Sequence, residues 1–281
     1  MQARNFRQVD VFTATPYRGN PLAVVLDGGA LSQEEMQRFA RWTNLSETAF
    51  LLPPTTPQAD YRVRIFTPGG ELPFAGHPTL GSCHCWLEAG NTPRSKEFIV
   101  QECQVGLVQL RREQTRLAFA APALRRSPPD RDVIARASAA LGIQAGQVVA
   151  AQTLDNGPVW LGLLLDTPAT VLGLAPDHAE IARLGLKIGV AAPVAGETAG
   201  PHLEVRAFAA PIGIPEDPVT GSLNASLAQW LIEEGRMPRR YLAAQGTCLD
   251  RAGRIHIERD DSGQVWVGGD SVTCISGSVT L

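Results

Sequence analysis

Two short stretches of the sequence carry ionisable side chains in similar surroundings. Residues 71–82 read ELPFAGHPTLGS and residues 214–223 read IPEDPVTGSL, so a turn, a proline and a Gly-Ser pair occur in both. When the two stretches are aligned on the proline that follows, His77 in the first corresponds to Asp217 in the second. Imidazole and carboxyl groups both exchange protons, which is the chemistry of general acid–base catalysis.

A helix is expected immediately after each of these turns. Proline is favoured in the first turn of a helix and Gly90 is a typical helix stop, which would place His77 and Asp217 at the N-caps. The first turn of a helix presents unpaired N–H groups and the positive end of the helix dipole, which stabilise anions. Two such ends facing one ligand would hold a carboxylate or an enolate. The alternative, two ordinary capped helices that bind nothing, stays open at this point.

Glu47, in the segment NLSETAF, is the third candidate for proton transfer. It lies at a loop-to-strand junction among apolar neighbours, where partial loss of solvent would favour a carboxyl that moves a proton. The corresponding stretch of the second half, GLKIGVAA, contains no acid. The alternative interpretation is a solvated turn residue.

Matches between the two halves of the chain predict a duplicated architecture. VRIFTP resembles VRAFAAP, GNPLAVVLD resembles NGPVWLGLLLD, and WLEAG resembles WLIEEG, in the same order and about 140 residues apart. We therefore expect two domains, residues 1–122 and 131–281, each a mostly antiparallel sheet around a helix. Proline and charge concentrate in a linker at residues 123–130. The final strands are free to cross back to the first domain.

Composition and charge exclude several classes of function. The net charge is −3 and the basic residues are scattered, so the patch that binds nucleic acid or an anionic membrane is missing and a small-molecule partner is expected. No signal-peptide pattern and no run of 18 apolar residues occurs, which leads us to expect a cytoplasmic protein. Five cysteines without CxxC spacing are expected to be reduced.

The familiar catalytic motifs are absent from the sequence. GxSxG, HExxH, GxxxxGK[ST] and GxGxxG do not occur, which argues against serine hydrolases, zincins, P-loop enzymes and Rossmann enzymes. His77 and His84 suggest a metal site, but seven helical residues separate them by about 10 Å, too far to share an ion. The prediction that remains is an acid–base enzyme without metal or cofactor.

Five blocks of the sequence resemble a known family. They are GNPLAVVL, NLSETAF, RIFTPGGELPFAGHPTLG, EDPVTGSL and VWVGGDSVTCISGSVTL. Together they are similar to the PhzF-type, phenazine biosynthesis-like isomerases, which are relatives of diaminopimelate epimerase. The resemblance implies an α+β fold of two pseudo-symmetric domains, each a mostly antiparallel barrel-like sheet around a central helix. It further implies an active site between the domains and a homodimer.

The resemblance also implies roles for individual residues. Glu47 would shuttle the proton while His77 and Asp217 assist, and four residues would bind substrate: Ser46, Gly76, Gly221 and Ser222. None of the five cysteines occupies the two catalytic cysteine positions of the epimerase relatives, so a two-cysteine racemase is not expected.

The resulting functional prediction is a cofactor-independent isomerase that moves a proton within a small carboxylated substrate, such as a dihydro-aromatic acid. Two alternatives stay open: an epimerase or racemase acting on another small acid, and a non-catalytic protein of the same fold that binds a small ligand.

Overall fold

The computed structural model describes residues 1–113, 115–196 and 200–281. They form two compact units, the first made of Met1–Ala120 with Gly268–Leu281 and the second of Ala121–Val267. Within these described ranges, every helix is too short or too polar to cross a lipid bilayer.

Strands outnumber helices along the described part of the chain. The strands are β1 (Ala3–Val11), β2 (Asn20–Val25), β3 (Thr48–Leu52), β4 (Tyr61–Thr67), β5 (Gly70–Leu72), β6 (Ile99–Cys103), β7 (Gly106–Glu113), β8 (Arg116–Ala120), β9 (Arg125–Ser127), β10 (Val148–Asp155), β11 (Val159–Leu165), β12 (Ile188–Pro193), β13 (Leu203–Phe208), β14 (Arg240–Gln245), β15 (Gly253–Arg259), β16 (Val265–Gly269) and β17 (Ser271–Thr280). The α-helices are α1 (Gln33–Thr43), α2 (Gly76–Glu88), α3 (Arg131–Leu141), α4 (Pro168–Leu172), α5 (His178–Leu184) and α6 (Gly221–Glu233).

In the first unit the strands follow the order β17, β1, β2, β3, β4, β6, β7, β8. The β2–β3 and β4–β6 pairs are parallel and the others are antiparallel. Helix α2 packs against strands from both ends of this order, including β17, β1 and β8. Most of its side chains are buried, because the sheet curls around the helix.

The second unit repeats this arrangement. Its strands follow the order β9 to β15, with β11–β12 and β13–β14 parallel and the other pairs antiparallel. The almost completely buried helix α6 contacts β10 and β15. Shorter helices cover the sheet elsewhere, where Leu141, Ile181 and Val190 belong to one apolar core. The predicted fold class, two similar units with a mostly antiparallel sheet around a central helix, is confirmed.

The start of α1 follows the sequence signal closely. The Ser32 hydroxyl accepts the Glu35 backbone N–H, and the Glu35 carboxylate accepts the Ser32 N–H at 2.8 Å, which completes the capping box. Helix α1 ends at Thr43, followed by Asn44 in the left-handed conformation (φ 54°). This helix sets the beginning of the short loop that leads into β3.

The predicted starts of the two central helices are wrong. Helix α2 begins at Gly76 with Ala75 as its N-cap, so His77 lies inside the first turn. Proline fits there as well, since the first N–H groups of a helix have no intrahelical partner. Helix α6 begins at Gly221, and Asp217 lies before it in a turn held by its backbone N–H, which donates to the Ala207 carbonyl at 2.9 Å.

The corrected helix starts change how the two halves align. ELPFAG at residues 71–76 corresponds to EDPVTG at residues 216–221, because 216 − 71 and 221 − 76 both equal 145. Both central helices are 13 residues long, and a glycine with positive φ follows shortly after each of them. His77 therefore corresponds to Ser222, and Asp217 corresponds to Leu72.

A buried ion pair anchors the segment that enters α6. Arg206 on β13 binds Glu216 through two parallel hydrogen bonds, Nε–Oε1 at 2.9 Å and Nη2–Oε2 at 2.8 Å. The two side chains are only 6% and 7% exposed. Arg206 also stacks over the Phe208 ring at 5.0 Å and donates Nη1 to the Val171 and Leu174 carbonyls. Every nitrogen of the guanidinium thus donates to a protein oxygen.

The first unit contains the same ion pair at equivalent positions. Arg64 binds Glu71 through Nε–Oε1 at 2.7 Å and Nη2–Oε2 at 2.5 Å, and it lies over the Phe66 ring at 5.1 Å. Because both arginines are two residues before a phenylalanine on the same strand, these contacts fix the alignment of the two halves independently of the helix starts.

We predict that Glu216→Gln lowers the free energy of unfolding by about 3 kcal/mol, since it leaves the Arg206 charge buried without its counter-charge. Urea denaturation followed by tryptophan fluorescence measures the change. The matched control is Glu180→Gln, which removes the exposed pair with Arg183 and should cost no more than about 0.5 kcal/mol. Equal stabilities of the two variants would contradict the anchoring role of Arg206 and Glu216.

Candidate functional site

Glu47 and His77 meet in the interior of the first unit. Glu47 lies immediately before β3, its side chain is 13% exposed, and its Oε2 is 3.3 Å from Nε2 of His77, which is 4% exposed. Glu47 is therefore not a solvated turn residue. Ser46 and Gly76 are adjacent to this pair along the chain, so four of the predicted site residues belong to one region of the first unit.

The position of Glu47 is set by the strand that follows it. Thr48 is fully buried, lies opposite Ala23 in the parallel β2–β3 pair and lies opposite Phe66 in the antiparallel β3–β4 pair. Its hydroxyl lies 3.0 Å from that of Thr43, the last residue of α1. The loop that carries Glu47 is therefore held at both ends by buried elements.

Asn20 holds the other side of the His77 ring, a contact that the sequence motifs do not predict. It is the first residue of β2, is completely buried, and its Nδ2 lies 3.3 Å from His77 Nδ1. Because the amide nitrogen is a donor, Nδ1 is the acceptor. The neutral form of His77 then carries its proton on Nε2, the nitrogen that lies 3.3 Å from Glu47 Oε2. In the sequence Asn20 belongs to the GNPLAVVL block, where it is typical of an ordinary turn residue and gives no indication of a contact with His77.

Burial raises the pKa of the Glu47 carboxyl from 4.5 to about 7, since the charged form loses solvent. The Ser46 hydroxyl, which stabilises the charged form, lowers this pKa and so opposes the larger effect of burial. A carboxyl with a pKa near 7 is present in both protonation states at neutral pH. It can therefore take up a proton and return it in the same catalytic cycle.

Ser222 occupies in the second unit the position that His77 occupies in the first. It is the second residue of α6 and is buried. Asn156, in the turn between β10 and β11, donates Nδ2 to the Ser222 carbonyl at 2.9 Å, and Trp160 donates Nε1 to the Ser222 hydroxyl at 3.3 Å. In both units an asparagine from the first hairpin thus contacts the second residue of the central helix.

Asp217 is fixed by a network of hydrogen bonds at the start of α6. Its Oδ2 accepts from the Thr220 hydroxyl at 2.6 Å, and its carbonyl accepts from Gln245 Nε2 at 3.0 Å. The buried Gln245 also accepts the Thr220 N–H at 3.0 Å and the Asn224 amide at 2.8 Å. The structure therefore holds Asp217 against Thr220, the residue before Gly221 at the start of α6.

Comparison with known proteins gives the family of the chain. Residues 9–277 match the phenazine biosynthesis-like (PhzC-PhzF) protein family. The chain belongs to this family. The predicted family is therefore confirmed, and the match extends over both units of the structure.

Three relatives illustrate the range of this family. A Schizosaccharomyces pombe protein named antisense-enhancing sequence 1 is 39% identical over 294 residues, which cover 99% of each chain. The trans-2,3-dihydro-3-hydroxyanthranilate isomerase of Pseudomonas aeruginosa is 33% identical over 262 residues, 91% of this chain and 90% of the relative. The crystal structure of a PhzF-family phenazine biosynthesis protein from Bacillus anthracis matches with a TM-score of 0.86 over 100% of both chains at 23% identity, which shows a shared fold.

The raised pKa of Glu47 predicts how stability depends on pH within this PhzC-PhzF protein. The folded-state pKa of about 7 lies above the ordinary value of 4.5. The contribution of the Glu47 carboxyl to the free energy of unfolding is therefore fully present below pH 4.5 and is lost as the pH rises through 7. The free energy of unfolding of the wild type, taken relative to that of Glu47→Gln, should fall by on the order of 3 kcal/mol between pH 4.5 and pH 8. Urea denaturation at several pH values measures this difference, and Glu34→Gln, an exposed position in α1, is the control. A pH-independent difference would contradict the burial of an ionisable Glu47.

Proposed function

We propose that the protein is a cofactor-independent isomerase in which Glu47 removes a proton from one carbon of a small carboxylated substrate and returns it to another. The observation that carries this proposal is a buried carboxyl with a pKa of about 7, in contact with a histidine whose other nitrogen is held by Asn20. General bases are most effective when their pKa lies near the operating pH.

Nε2 of His77 lies 3.3 Å from Glu47 Oε2. In the proposed reaction His77 assists by donating its Nε2–H to the Glu47 carboxylate before proton abstraction. A neutral donor stabilises the carboxylate only moderately, so that the carboxyl remains basic enough to attack a C–H bond. A positively charged neighbour would stabilise the carboxylate much more and weaken the base. Glu47 and His77 therefore act as base and hydrogen-bond donor, in that order.

The starts of the two central helices supply the anion-binding groups in this proposal. Gly76 and Gly221 are the first residues of α2 and α6, where backbone N–H groups lack intrahelical partners. Such groups bind carboxylates and stabilise negative charge that develops during proton transfer. The Ser46 hydroxyl is a further substrate contact proposed in the first unit, and the Ser222 hydroxyl and the Asp217 carboxyl are the substrate-binding and orienting groups proposed in the second.

The name of the P. aeruginosa relative supports the proposed substrate class. That protein is named for an anthranilate with a partly saturated ring, which carries a carboxylate conjugated to a double bond. In the proposed reaction a C–H bond breaks, the proton moves to Glu47, and the electron pair shifts through the conjugated system. The same proton is then delivered to a second carbon, so no oxidant or reductant is consumed.

Epimerisation of another small acid is the second candidate, because Asp217 provides a second carboxyl at the start of a central helix. Proton NMR in deuterated water distinguishes the two reactions. Movement of a hydrogen between carbons supports the isomerase, whereas solvent deuterium at one inverted carbon supports the epimerase. Binding without exchange or product would indicate a non-catalytic ligand-binding protein.

We predict that Glu47→Gln lowers kcat for trans-2,3-dihydro-3-hydroxyanthranilate by about 100-fold or more while substrate binding is retained, since the amide keeps the shape but cannot accept the proton. Product formation is followed by NMR, and binding is measured by calorimetry. Glu34→Gln serves as the matched control and should turn over like the wild type. Wild-type turnover by Glu47→Gln would refute the assignment of the base.

A further inference from the structure

Lys187 occupies in the second unit the position that Glu47 occupies in the first. The first residue of β3 lies opposite Phe66, and the first residue of β12 lies opposite Phe208. These two phenylalanines are equivalent, because each lies beneath the arginine of an Arg–Glu ion pair. The residue immediately before the strand is Glu47 in one unit and Lys187 in the other. The duplication therefore places an ionisable side chain of opposite charge at the same point.

The Lys187 ammonium lacks an anionic partner within the described part of the chain. It is half-buried, and its Nζ lies 5.2 Å from the centre of the Trp160 ring. Across residues 1–113, 115–196 and 200–281 it forms no ion pair with a carboxylate, and burial lowers its pKa. A partly desolvated cation that lies over an aromatic face would gain from pairing with an anion.

A pocket of about 370 Å³ opens beside Lys187. We call it the Lys187 pocket; its walls include the β10–β11 turn with Pro158 and Val159, Leu186 before β12, and Pro211 with Ile212. Lys187 is the one charged side chain among the described residues that line it. Its volume lies in the lower part of the range for pockets that bind small organic ligands.

We propose that the Lys187 pocket binds a small monocarboxylate with an apolar body, whose carboxylate pairs with Lys187 Nζ. The apolar walls accommodate a ring or a short chain, and the single cation matches a single negative charge. A phosphate or a dicarboxylate carries more negative charge and would need further cations, whereas Lys187 is the one cation among the described residues that line the pocket.

The Lys187 pocket is also connected to the start of α6. The Trp160 ring beneath Lys187 donates its Nε1–H to the Ser222 hydroxyl at 3.3 Å. A ligand in the pocket would therefore pair with a lysine that lies over the same aromatic side chain that donates to Ser222. The inference stands on the pocket and its lysine and is independent of the proposed isomerase activity.

The sequence allows a well-controlled test, because Lys96 and Lys187 are its only lysines and Lys96 is exposed. Benzoate is titrated by calorimetry into the wild type, Lys187→Met and Lys96→Met at constant ionic strength, with benzyl alcohol as the uncharged probe. We expect Lys187→Met to weaken one benzoate-binding event by about tenfold or more. Lys96→Met should bind like the wild type, and benzyl alcohol should bind much more weakly than benzoate.

Three further measurements make the test independent of the fold of Lys187→Met and of the Glu47 site. Lys187→Arg keeps the positive charge and should retain benzoate binding. When the lysines of the wild type are labelled with ¹³C-methyl groups, benzoate should cause a saturable shift of the NMR signal of Lys187 only. Glu47→Gln should retain the event, which separates this pocket from the proposed catalytic residues. Unchanged stoichiometry and affinity in a folded Lys187→Met, or no shift of the Lys187 signal, would overturn the proposal.

Discussion

A helix that is surrounded by strands cannot use water to satisfy its polar groups, and this constraint governs both units. The first turns of α2 and α6 are buried, so the N–H groups there need partners from the protein or from a bound ligand. Buried side-chain amides hold residues near the start of the central helix in both units. Gln245 accepts the Thr220 N–H and the Asn224 amide, and in the first unit Gln101 donates to the Thr79 hydroxyl at 3.0 Å. The groups that enclose each helix therefore also fix the residues at its start.

Both units keep the sheet around a central helix, but they differ in the ionisable residues near the start of that helix. An asparagine of the first hairpin contacts His77 in one unit and Ser222 in the other, so the supporting contact is retained while the proton-exchanging ring is replaced by a hydroxyl. The residue before the third strand of the repeat is likewise an acid, Glu47, in one unit and a base, Lys187, in the other. At these equivalent positions a carboxyl meets an imidazole in the first unit, which explains why proton transfer is assigned to that half.

Local signals in the sequence predict the elements whose boundaries depend on neighbouring residues alone. The capping box of α1 and the apolar segment around Glu47 are of this kind. The start of α2 is harder to place because Pro78 fits anywhere in a first helical turn, and this single ambiguity shifts the alignment of the two turns. The contact between Asn20 and His77 joins residues 57 positions apart, so only the folded sheet reveals it.

The proposed proton shuttle depends on a balance between burial and hydrogen bonding at Glu47. Burial alone would favour the neutral acid, and a charged partner alone would favour the carboxylate. Asn20 influences this balance indirectly, since protonation of His77 Nδ1 would bring two donors face to face. In the proposed shuttle a neutral imidazole faces Glu47, with Nε2 3.3 Å from Oε2, and stabilises the carboxylate without fixing it in that form. Burial, opposed by the Ser46 hydroxyl, gives this carboxyl a pKa of about 7, so that both of its protonation states are accessible near neutral pH.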